Sequence, residues 1–405
     1  MGDRIYYLHA WNPDSASSSF IFLSLLRVLS IRIVISMLLV RRLDRSLSSS
    51  ALRSSSFCRP ASVSGLSRLG FFEARSLPRH TISTSSSSRR PDSSAMVEYA
   101  DGVGAWGAWQ VEPSKFTQLV VNSMRTLYPE ELADRKWDNV GLLLGNSESD
   151  AKKLEPTVMV TNDLTFQVAV DAIGQGASVI VSYHPFIFSG LKSVTNSDPQ
   201  QATLLQLAKA GVAVYCPHTA VDAAPLGLNN WLADIVAGPH KPTQSVAIPC
   251  ATAPESDPPA GYGRIGHFED GAPVPLAEII KRLALKLGGL KHIMIASPVG
   301  SDIKTAKVRS FGVCAGSGYD VLKSADVDLL VMGETSHHSA LRAIQQGRTL
   351  IQVFHSNSER GYLREVLKPS LEKLLKAAEP KAEVILSEYD ADPFKILDVS
   401  TLQEV

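Results

Sequence analysis

The chain has 405 residues, of which 44% are apolar and 20% charged, and this is ordinary globular composition in a chain long enough for two domains. It excludes a fibre, a coiled coil and a disulfide-rich miniprotein, and the four scattered cysteines lack the spacing of a cysteine-type zinc site. The formal charge is zero, but residues 1–95 carry 13 Arg, no Lys and only five acidic residues, so the remainder is net acidic. A net acidic chain gives little electrostatic support for direct nucleic-acid binding.

Residues 1–95 also contain 25 Ser in short runs and lack the apolar periodicity of a core, so we expect this segment to be disordered. An Arg-rich, Ser-rich and acid-poor leader is typical of a transit peptide, which favours a mitochondrial location. The apolar stretch 20–40 contains Arg27 and Arg32, each unfavourable by about 2.5–3.5 kcal/mol in a bilayer, so we expect no membrane span. Alternatively, translation starts at Met96 and the protein is cytoplasmic.

Helical stretches alternate with short β-branched runs from Pro113 onward, beginning with an amphipathic helix predicted over residues 115–127. The next segments alternate strand and helix: a strand at 158–160, a helix reaching 175, a strand at 178–182, a helix at 200–210 and a strand at 212–215. This alternation predicts a parallel sheet with right-handed crossovers.

Residues 246–260 are rich in Pro and Ala and show no period, so we predict a linker there. A second α/β run follows it. Strands are predicted at 264–268, 292–296, 308–313, 327–332 and 350–354, and helices at 276–287, 339–346 and 358–376. The fold class is therefore α/β with two α/β domains, of which the second is the smaller.

Polar side chains follow three of the predicted strands, at the carboxyl ends where parallel sheets bind ligands. His184 follows one strand, His218 and Asp222 follow another, and His355 and Glu359 follow a third. The last two are spaced i, i+4, which places them on one face of a helical turn. Imidazole and carboxylate together suit zinc, iron, manganese or nickel in an open site, although a single strand-end histidine is more often structural.

A second His-rich segment follows the strand that ends at Met332. Its Glu334, His337 and His338 are candidates to line the same pocket, as are Tyr183 and His218. The alternative is an exposed loop that caps the next helix through Thr335 or Ser336. The glycines of residues 314–318 could bring backbone N–H groups to a phosphate, and a tight turn explains them equally well.

Five segments in this order resemble one family, the Ngg-interacting-factor-three proteins, also labelled GTP cyclohydrolase I type 2. The segments are Trp-Asp-Asn-Val-Gly-Leu-Leu-Leu-Gly (137–145), Ser-Tyr-His-Pro-Phe-Ile-Phe (182–188), His-Thr-Ala-Val-Asp (218–222), Gly-Glu-Thr-Ser-His-His (333–338) and His-Ser-Asn-Ser-Glu-Arg (355–360). The resemblance implies a homo-oligomer and a dinuclear metal centre with ligands at His184, Asp222, His355 and Glu359. It also implies a metal-binding domain assembled from both ends of the chain, here residues 113–245 plus 350–405, with a smaller domain inserted at 261–349.

The family's bacterial pattern begins with two consecutive histidines, and here the first of them is Tyr183. A phenol, with an ordinary pKa of about 10, is a poorer ligand, so the sequence predicts one or two divalent ions. The family label implies a hydrolase that opens a purine nucleotide, while the residues themselves fit a phosphoester or an amide-like bond equally well. The rival interpretation is a regulatory or protein-interaction factor whose metals are structural.

Overall fold

The computed structural model of this chain describes residues 111–253, 256, 258–269 and 272–402. The predicted leader at 1–95, its apolar stretch and the alternative start at Met96 lie outside the described residues. Within the described part of the chain, no helix is both long enough and apolar enough to cross a bilayer.

Strands and helices alternate along the described chain. The strands are β1 (Gly141–Leu144), β2 (Glu155–Thr161), β3 (Ala177–Ser182), β4 (Ala213–Cys216), β5 (Thr243–Pro249), β6 (Gly261–His267), β7 (Val274–Pro275), β8 (Met294–Ala296), β9 (Lys307–Val308), β10 (Ser310–Cys314), β11 (Leu329–Met332), β12 (Thr349–Gln352) and β13 (Glu383–Leu386). The α-helices are α1 (Lys115–Leu127), α2 (Glu148–Ala151), α3 (Phe166–Gly174), α4 (Pro199–Ala210), α5 (His218–Ala223), α6 (Leu228–Ala237), α7 (Leu276–Lys286), α8 (Tyr319–Leu322), α9 (His337–Gln345), α10 (Arg360–Tyr362) and α11 (Lys368–Ala378). The remaining helical turns are the 3-10 turns Glu130–Leu132, Ser356–Ser358 and Val399–Thr401 and the π-helix Leu363–Leu367.

The first sheet has the strand order β1-β4-β3-β2-β13, in which β4, β3, β2 and β13 run parallel and β1 is antiparallel at one edge. Helices cover both faces. Val158 of β2 packs in the core that contains residues of α1 and α11, whereas its neighbour Met159 packs with α3 and α4. Because both faces of the sheet are buried, the sequences of these strands are continuous apolar runs. Burial of each valine or methionine side chain contributes roughly 1.5–3 kcal/mol to the stability of the fold.

The second sheet has the order β5-β6-β10-β11-β12-β8, with β10, β11 and β12 parallel and the other strands antiparallel. Phe311 of β10 lies in a core with α6 and α7, and Leu330 of β11 lies on the opposite face with α8 and α9. Strands β7 and β9 form a separate ribbon. The predicted architecture of two α/β domains is confirmed, since each sheet has helices on both faces.

Two segments differ from their predicted places. The predicted linker at 246–260 begins within β5, an edge strand that pairs with β6. Its Pro249 is tolerated at the end of an edge strand, where no ladder hydrogen bond requires its N–H. The strand predicted at 350–354 for the first domain is β12, which lies between β11 and β8 of the second sheet and buries Leu350 and Ile351 completely. The chain therefore returns to the first domain only after β12.

The parallel strands of the two sheets end at a shared crevice. His184 N donates to Asn162 O, which joins the ends of β3 and β2. Glu334 N donates to Gly316 O, which joins the ends of β11 and β10. Gly316 N donates to Ser358 Oγ on the segment after β12. Loops from both sheets thus meet beyond their carboxyl ends, where α/β proteins bind ligands.

Candidate metal centre

His184, His355 and Glu359 converge in this crevice, and one ligand atom from each lies within 4.8 Å of the others. His184 Nε2 is 3.5 Å from Glu359 Oε2, and His355 Nε2 is 3.3 Å from Glu359 Oε1. Two atoms that bind one tetrahedral zinc at ~2.0–2.1 Å are about 3.3–3.4 Å apart. Each imidazole therefore lies near one oxygen of Glu359 at about the spacing of two ligands of one ion, and the three side chains could hold a metal ion.

The backbone around this group is shaped by residues with positive φ. Phe354 has a φ of 70° and turns the chain immediately before His355. Gly316 has a φ of 61°, and a Cβ at this position would lie 2.8 Å from Glu359 Oε1 and 3.2 Å from His355 Nε2. A side chain at position 316 would enter the space between the ligands, so this position requires glycine.

Each histidine of the group has a carboxylate on the ring nitrogen that points away from Glu359. His184 Nδ1 lies 2.8 Å from Asp163 Oδ1, and His355 Nδ1 lies 3.0 Å from Glu334 Oε1. A carboxylate accepts the Nδ1 proton, so the lone pair of a neutral ring is on Nε2, which faces Glu359. Both rings are therefore held in the tautomer that binds metal through Nε2.

Glu359 is only 2% exposed, although it carries a carboxylate. Asn162 Nδ2 donates to its Oε2 at 3.1 Å, and the two imidazoles supply its other polar neighbours. Buried carboxylates are normally paired with a cation or coordinate a metal. A protonated His184 gives the first of these arrangements, and the position of Glu359 between two Nε2 atoms also fits the second.

Burial and charge act in opposite directions on the pKa of His184. Burial lowers this pKa, but the hydrogen bonds to Asp163 and Glu359 outweigh burial and raise it to about 10. For Asp163, burial raises the pKa, but the hydrogen bond to His184 lowers it by more. The pKa of Asp163 is therefore lowered overall. The carboxylates around His184 thus favour positive charge in the space that a divalent cation would share.

Asp222 and Tyr183 form a buried pair beside the group. Tyr183 Oη donates to Asp222 Oδ1 at 2.6 Å. Burial raises the pKa of Asp222 to about 6 and raises the pKa of Tyr183 well above its usual value. Asp222 lines the same cleft as the histidines but does not belong to the three-residue group, and Tyr183 is a phenol donor to it.

Of the other predicted pocket residues, some lie at the cleft and others do not. His218 lines the cleft, and Glu334 reaches it through the hydrogen bond to His355. His337 and His338 begin α9 and are not among the residues that line the cleft. Ser336 caps that helix by accepting a hydrogen bond from Ser339 N, which is the alternative weighed for this segment.

Two backbone amides of the glycine turn after β10 are not available to a phosphate. Ala315 N donates to Asn229 Oδ1 and Gly316 N donates to Ser358 Oγ, both at 2.9 Å. These amides are already used within the protein. The turn instead packs its backbone against Glu359, which explains why glycine stands at position 316.

Three functional residues were missed by the sequence reasoning. Asn162 and Asp163 directly follow β2, at a carboxyl end where parallel sheets bind ligands, so their position in the sequence marks them as candidates. Asp138, whose Oδ1 lies 2.7 Å from His218 Nδ1, belongs to an irregular segment before β1 and gives no such signal.

The group lies in a cleft of about 1190 Å³ whose rim is aromatic. Trp137 and Phe188 line it with their rings 6.1 Å apart, and both remain about half exposed, at 51% and 53%. Trp137 Nε1 donates to Asp134 Oδ2 at 3.1 Å, which fixes the indole. The ring of His218 lies 5.8 Å from Trp137 and 5.4 Å from His184, so the aromatic rim continues to the candidate metal position.

Comparison with known proteins gives one consistent family. The family model described as Duf34/NIF3 (NGG1p interacting factor 3) matches residues 117–393. Protein NIF3 homolog of Schizosaccharomyces pombe is 42% identical over 271 residues, covering 67% of this chain and 94% of that protein. NGG1-interacting factor 3 of Saccharomyces cerevisiae is 36% identical over 286 residues, covering 68% and 96%.

Solved structures agree with this family at the level of the fold. The Bacillus cereus protein related to NIF3 superimposes with a TM-score of 0.56 and 18% sequence identity, covering 71% of this chain and 100% of that one. Its likeness supports the arrangement of the two domains.

Proposed function

This chain belongs to the Duf34/NIF3 family, and we propose that it is a metal-dependent hydrolase that acts on a nucleotide or another phosphoester. One observation carries the proposal. Two imidazole Nε2 atoms lie 3.5 and 3.3 Å from the two oxygens of one buried carboxylate inside a large cleft. Three protein ligands with space beside them are typical of catalytic rather than structural metal sites.

The donor set decides which ions we expect. Nitrogen and oxygen donors without a thiolate among His184, His355 and Glu359 suit zinc, iron, manganese or nickel. Such an ion acidifies a bound water and stabilises charge that develops on the substrate. Asp163 and Glu334 keep the two rings in the ligating tautomer, and Gly316 leaves the space for an ion open.

The aromatic rim favours a nucleotide over a simple phosphoester. Trp137 and Phe188 line the cleft and are about half exposed, and aromatic rings stack on nucleobases. Lys136 lies on the same rim and supplies a cation for a phosphate. The ring of His218 adjoins both the Trp137 indole and the ring of His184, and all three residues line one cleft.

Turnover by the purified full-length chain tests this proposal. Loaded with zinc, iron, manganese or nickel, the protein is expected to hydrolyse at least one member of a panel of nucleotides and phosphoesters. Glu359→Gln is expected to abolish this activity without unfolding the protein, while Glu388→Gln, on the exposed surface, leaves it unchanged. A panel with no metal-dependent turnover, or a fully active Glu359→Gln variant, contradicts the hydrolase proposal.

A second candidate function is a protein-interaction factor whose metals are structural. The S. cerevisiae relative is named NGG1-interacting factor 3. The C-terminal segment of the present chain exposes apolar side chains at Phe394, Leu397 and Val399, by 77%, 61% and 71%. Exposed apolar surface of this kind marks contact sites. Under this second function, partner binding is expected to survive removal of the metals by a chelator and to be lost in Phe394→Asp. Loss of partner binding on chelation alone contradicts the second function.

Two further properties are proposed from the resemblance and from the composition of residues 1–95. We propose a homo-oligomer, which light scattering of the purified chain measures directly; a mass of one chain refutes it. We also propose a mitochondrial location with removal of the Arg-rich leader. The N-terminal sequence of the native protein tests this, since a start at Met1 or at Met96 contradicts cleavage.

A further inference from the structure

The segment that follows β13, residues 387–392, lies against loops from both sheets. At its start, Ser387 N donates to Val160 O of β2 at 3.3 Å. Further along, Asp390 contacts the loop after β2, and Asp392 contacts the turn after β12. Neither aspartate lines the cleft. The segment therefore reaches, from outside the cleft, the two loops that carry or support candidate metal ligands.

Asp390 makes two polar contacts, although its side chain is only 7% exposed. Its Oδ2 accepts a hydrogen bond from Asn162 N at 3.0 Å. Its Oδ1 lies 3.4 Å from Nε of Arg360, whose side chain is 18% exposed. Among the described residues, Arg360 has no other acidic partner at ion-pair distance, and a buried guanidinium without one leaves its charge uncompensated. Asp390 therefore compensates the charge of Arg360 and fixes the backbone at Asn162.

Both partners of Asp390 adjoin Glu359. Asn162 Nδ2 donates a hydrogen bond to Glu359 Oε2 at 3.1 Å. Arg360 follows Glu359 in the sequence, and its Nη2 donates to Ser356 Oγ at 2.9 Å. One carboxylate thus holds a residue that hydrogen-bonds Glu359 and the residue that follows Glu359 in the chain. Displacement of either partner would move the Glu359 carboxylate, and a metal–ligand distance tolerates only about ±0.2 Å.

The other aspartate of the segment reaches only one of the two loops. Ser356 Oγ donates a hydrogen bond to Asp392 Oδ2 at 3.0 Å, and Ser356 is only 2% exposed. The other oxygen of Asp392 accepts from Phe394 N, two residues further along the same segment of the chain. Asp390 is therefore the residue that joins the loop after β2 of the first sheet to the turn after β12 of the second.

We propose that Asp390 is a positioning residue of the candidate metal centre, which orients Glu359 through Asn162 and Arg360. This inference rests on the metal site proposed above. Without the Asp390 carboxylate, the amide of Asn162 loses its acceptor, and the positive charge of Arg360 beside Glu359 is uncompensated. An uncompensated positive charge close to the site opposes the binding of a divalent ion. Both changes lower the affinity of the site for its ion.

Titration of the metal-free full-length chain with Co²⁺ tests the inference, because the visible absorption of Co²⁺ reports the geometry of its ligands. Asp390→Ala is expected to bind Co²⁺ ~10–100-fold more weakly than the wild type, with an altered spectrum. Asp171→Ala is the matched control, since it removes a carboxylate on α3 that accepts from Ser387 Oγ at 2.7 Å. This change loosens the start of the same segment and leaves Asn162 and Arg360 untouched. Its Co²⁺ affinity and spectrum are expected to equal those of the wild type, although both variants unfold at lower urea concentration.

Three outcomes would overturn the positioning role. If Asp390→Ala keeps the affinity and spectrum of the wild type, the role is refuted and the metal site stands. If Asp171→Ala weakens Co²⁺ binding as much as Asp390→Ala does, the segment acts through stability alone and the role is again refuted. If the wild type binds no Co²⁺, the proposed metal site fails and this inference fails with it. Should circular dichroism show that Asp390→Ala is unfolded, Asp390→Asn, which keeps the size of the side chain and removes its charge, is judged by the same outcomes.

Discussion

Replacing Gly316 with alanine places one methyl group between two of the candidate metal ligands. The new Cβ would lie 2.8 Å from Glu359 Oε1, whereas ordinary contacts begin at 3.4 Å. Glu359 must therefore retreat by several tenths of an ångström, which exceeds the roughly 0.2 Å tolerance of a metal–ligand bond. We expect Gly316→Ala to weaken zinc binding at least ~10-fold, which corresponds to about 1.4 kcal/mol.

Gly347→Ala is the matched control for this substitution. Gly347 has a φ of 79°, comparable to the 61° of Gly316, but a Cβ there would meet nothing within 4 Å. Both variants are expected to lose about 1–2 kcal/mol of unfolding free energy, because both force an L-residue into the left-handed region. Guanidinium unfolding measures the loss of unfolding free energy that the two variants share. Zinc titration measures the loss of zinc affinity that is expected in Gly316→Ala alone. If both variants bind zinc equally well, Gly316 does not adjoin a metal and the geometry of the site is refuted.

The remaining predictions concern the support of the group and of the fold. Asp163→Asn is expected to weaken metal binding ~10–100-fold, with Asp302→Asn as a surface control; unchanged affinity contradicts the role of Asp163 in fixing His184. Zinc at 100 times its Kd is expected to raise the unfolding free energy of the wild type by about 2.7 kcal/mol. Unfolding with and without a chelator measures this increase. The same increase in His355→Ala would contradict ligation by His355. Arg264 is 2% exposed and donates hydrogen bonds to Asn230 Oδ1 and to the carbonyls of Ala224, Gly261 and Gly263. Since each buried acceptor left unpaired costs about 1–3 kcal/mol, Arg264→Ala is expected to lose at least ~3 kcal/mol in urea unfolding, and a loss below ~1 kcal/mol refutes this.

The parts of the fold that were predicted from sequence are the elements that a few consecutive residues identify. Strands β2, β3 and β4 are buried on both faces, so they appear as uninterrupted apolar runs. The turn residues between them mark their ends. Because ligands collect at such ends, His184, His355 and Glu359 could be selected before any coordinates were known.

The parts that were not predicted depend on pairing across the chain. Nothing within β12 specifies whether it adds to the first or the second sheet; its place is decided by β11 and β8, which lie on either side. The edge strand β5 has only one neighbour and alternates in exposure, and its Pro and Ala residues resemble a linker. Asp138 pairs with His218 across 80 residues, a contact that no spacing rule reports.

The segment around His355 shows the limit of a spacing argument. The i, i+4 spacing of His355 and Glu359 predicted one helical turn, whereas the structure has the 3-10 turn Ser356–Ser358 between them. Their side chains still meet, because Phe354 turns the backbone and Gly316 leaves room for both. The proximity of the two residues was predicted, and the backbone path between them was not.

The central claim is that His184, His355 and Glu359 bind a metal ion, and metal analysis of the purified full-length chain tests it most directly. After incubation with zinc and removal of the excess, the wild type is expected to retain at least one zinc per chain, and His355→Ala is expected to retain less than half as much. His338→Ala, which removes an imidazole on α9 outside the cleft, is expected to match the wild type. A wild type without metal, or a His355→Ala variant that retains as much as the wild type, would contradict the account.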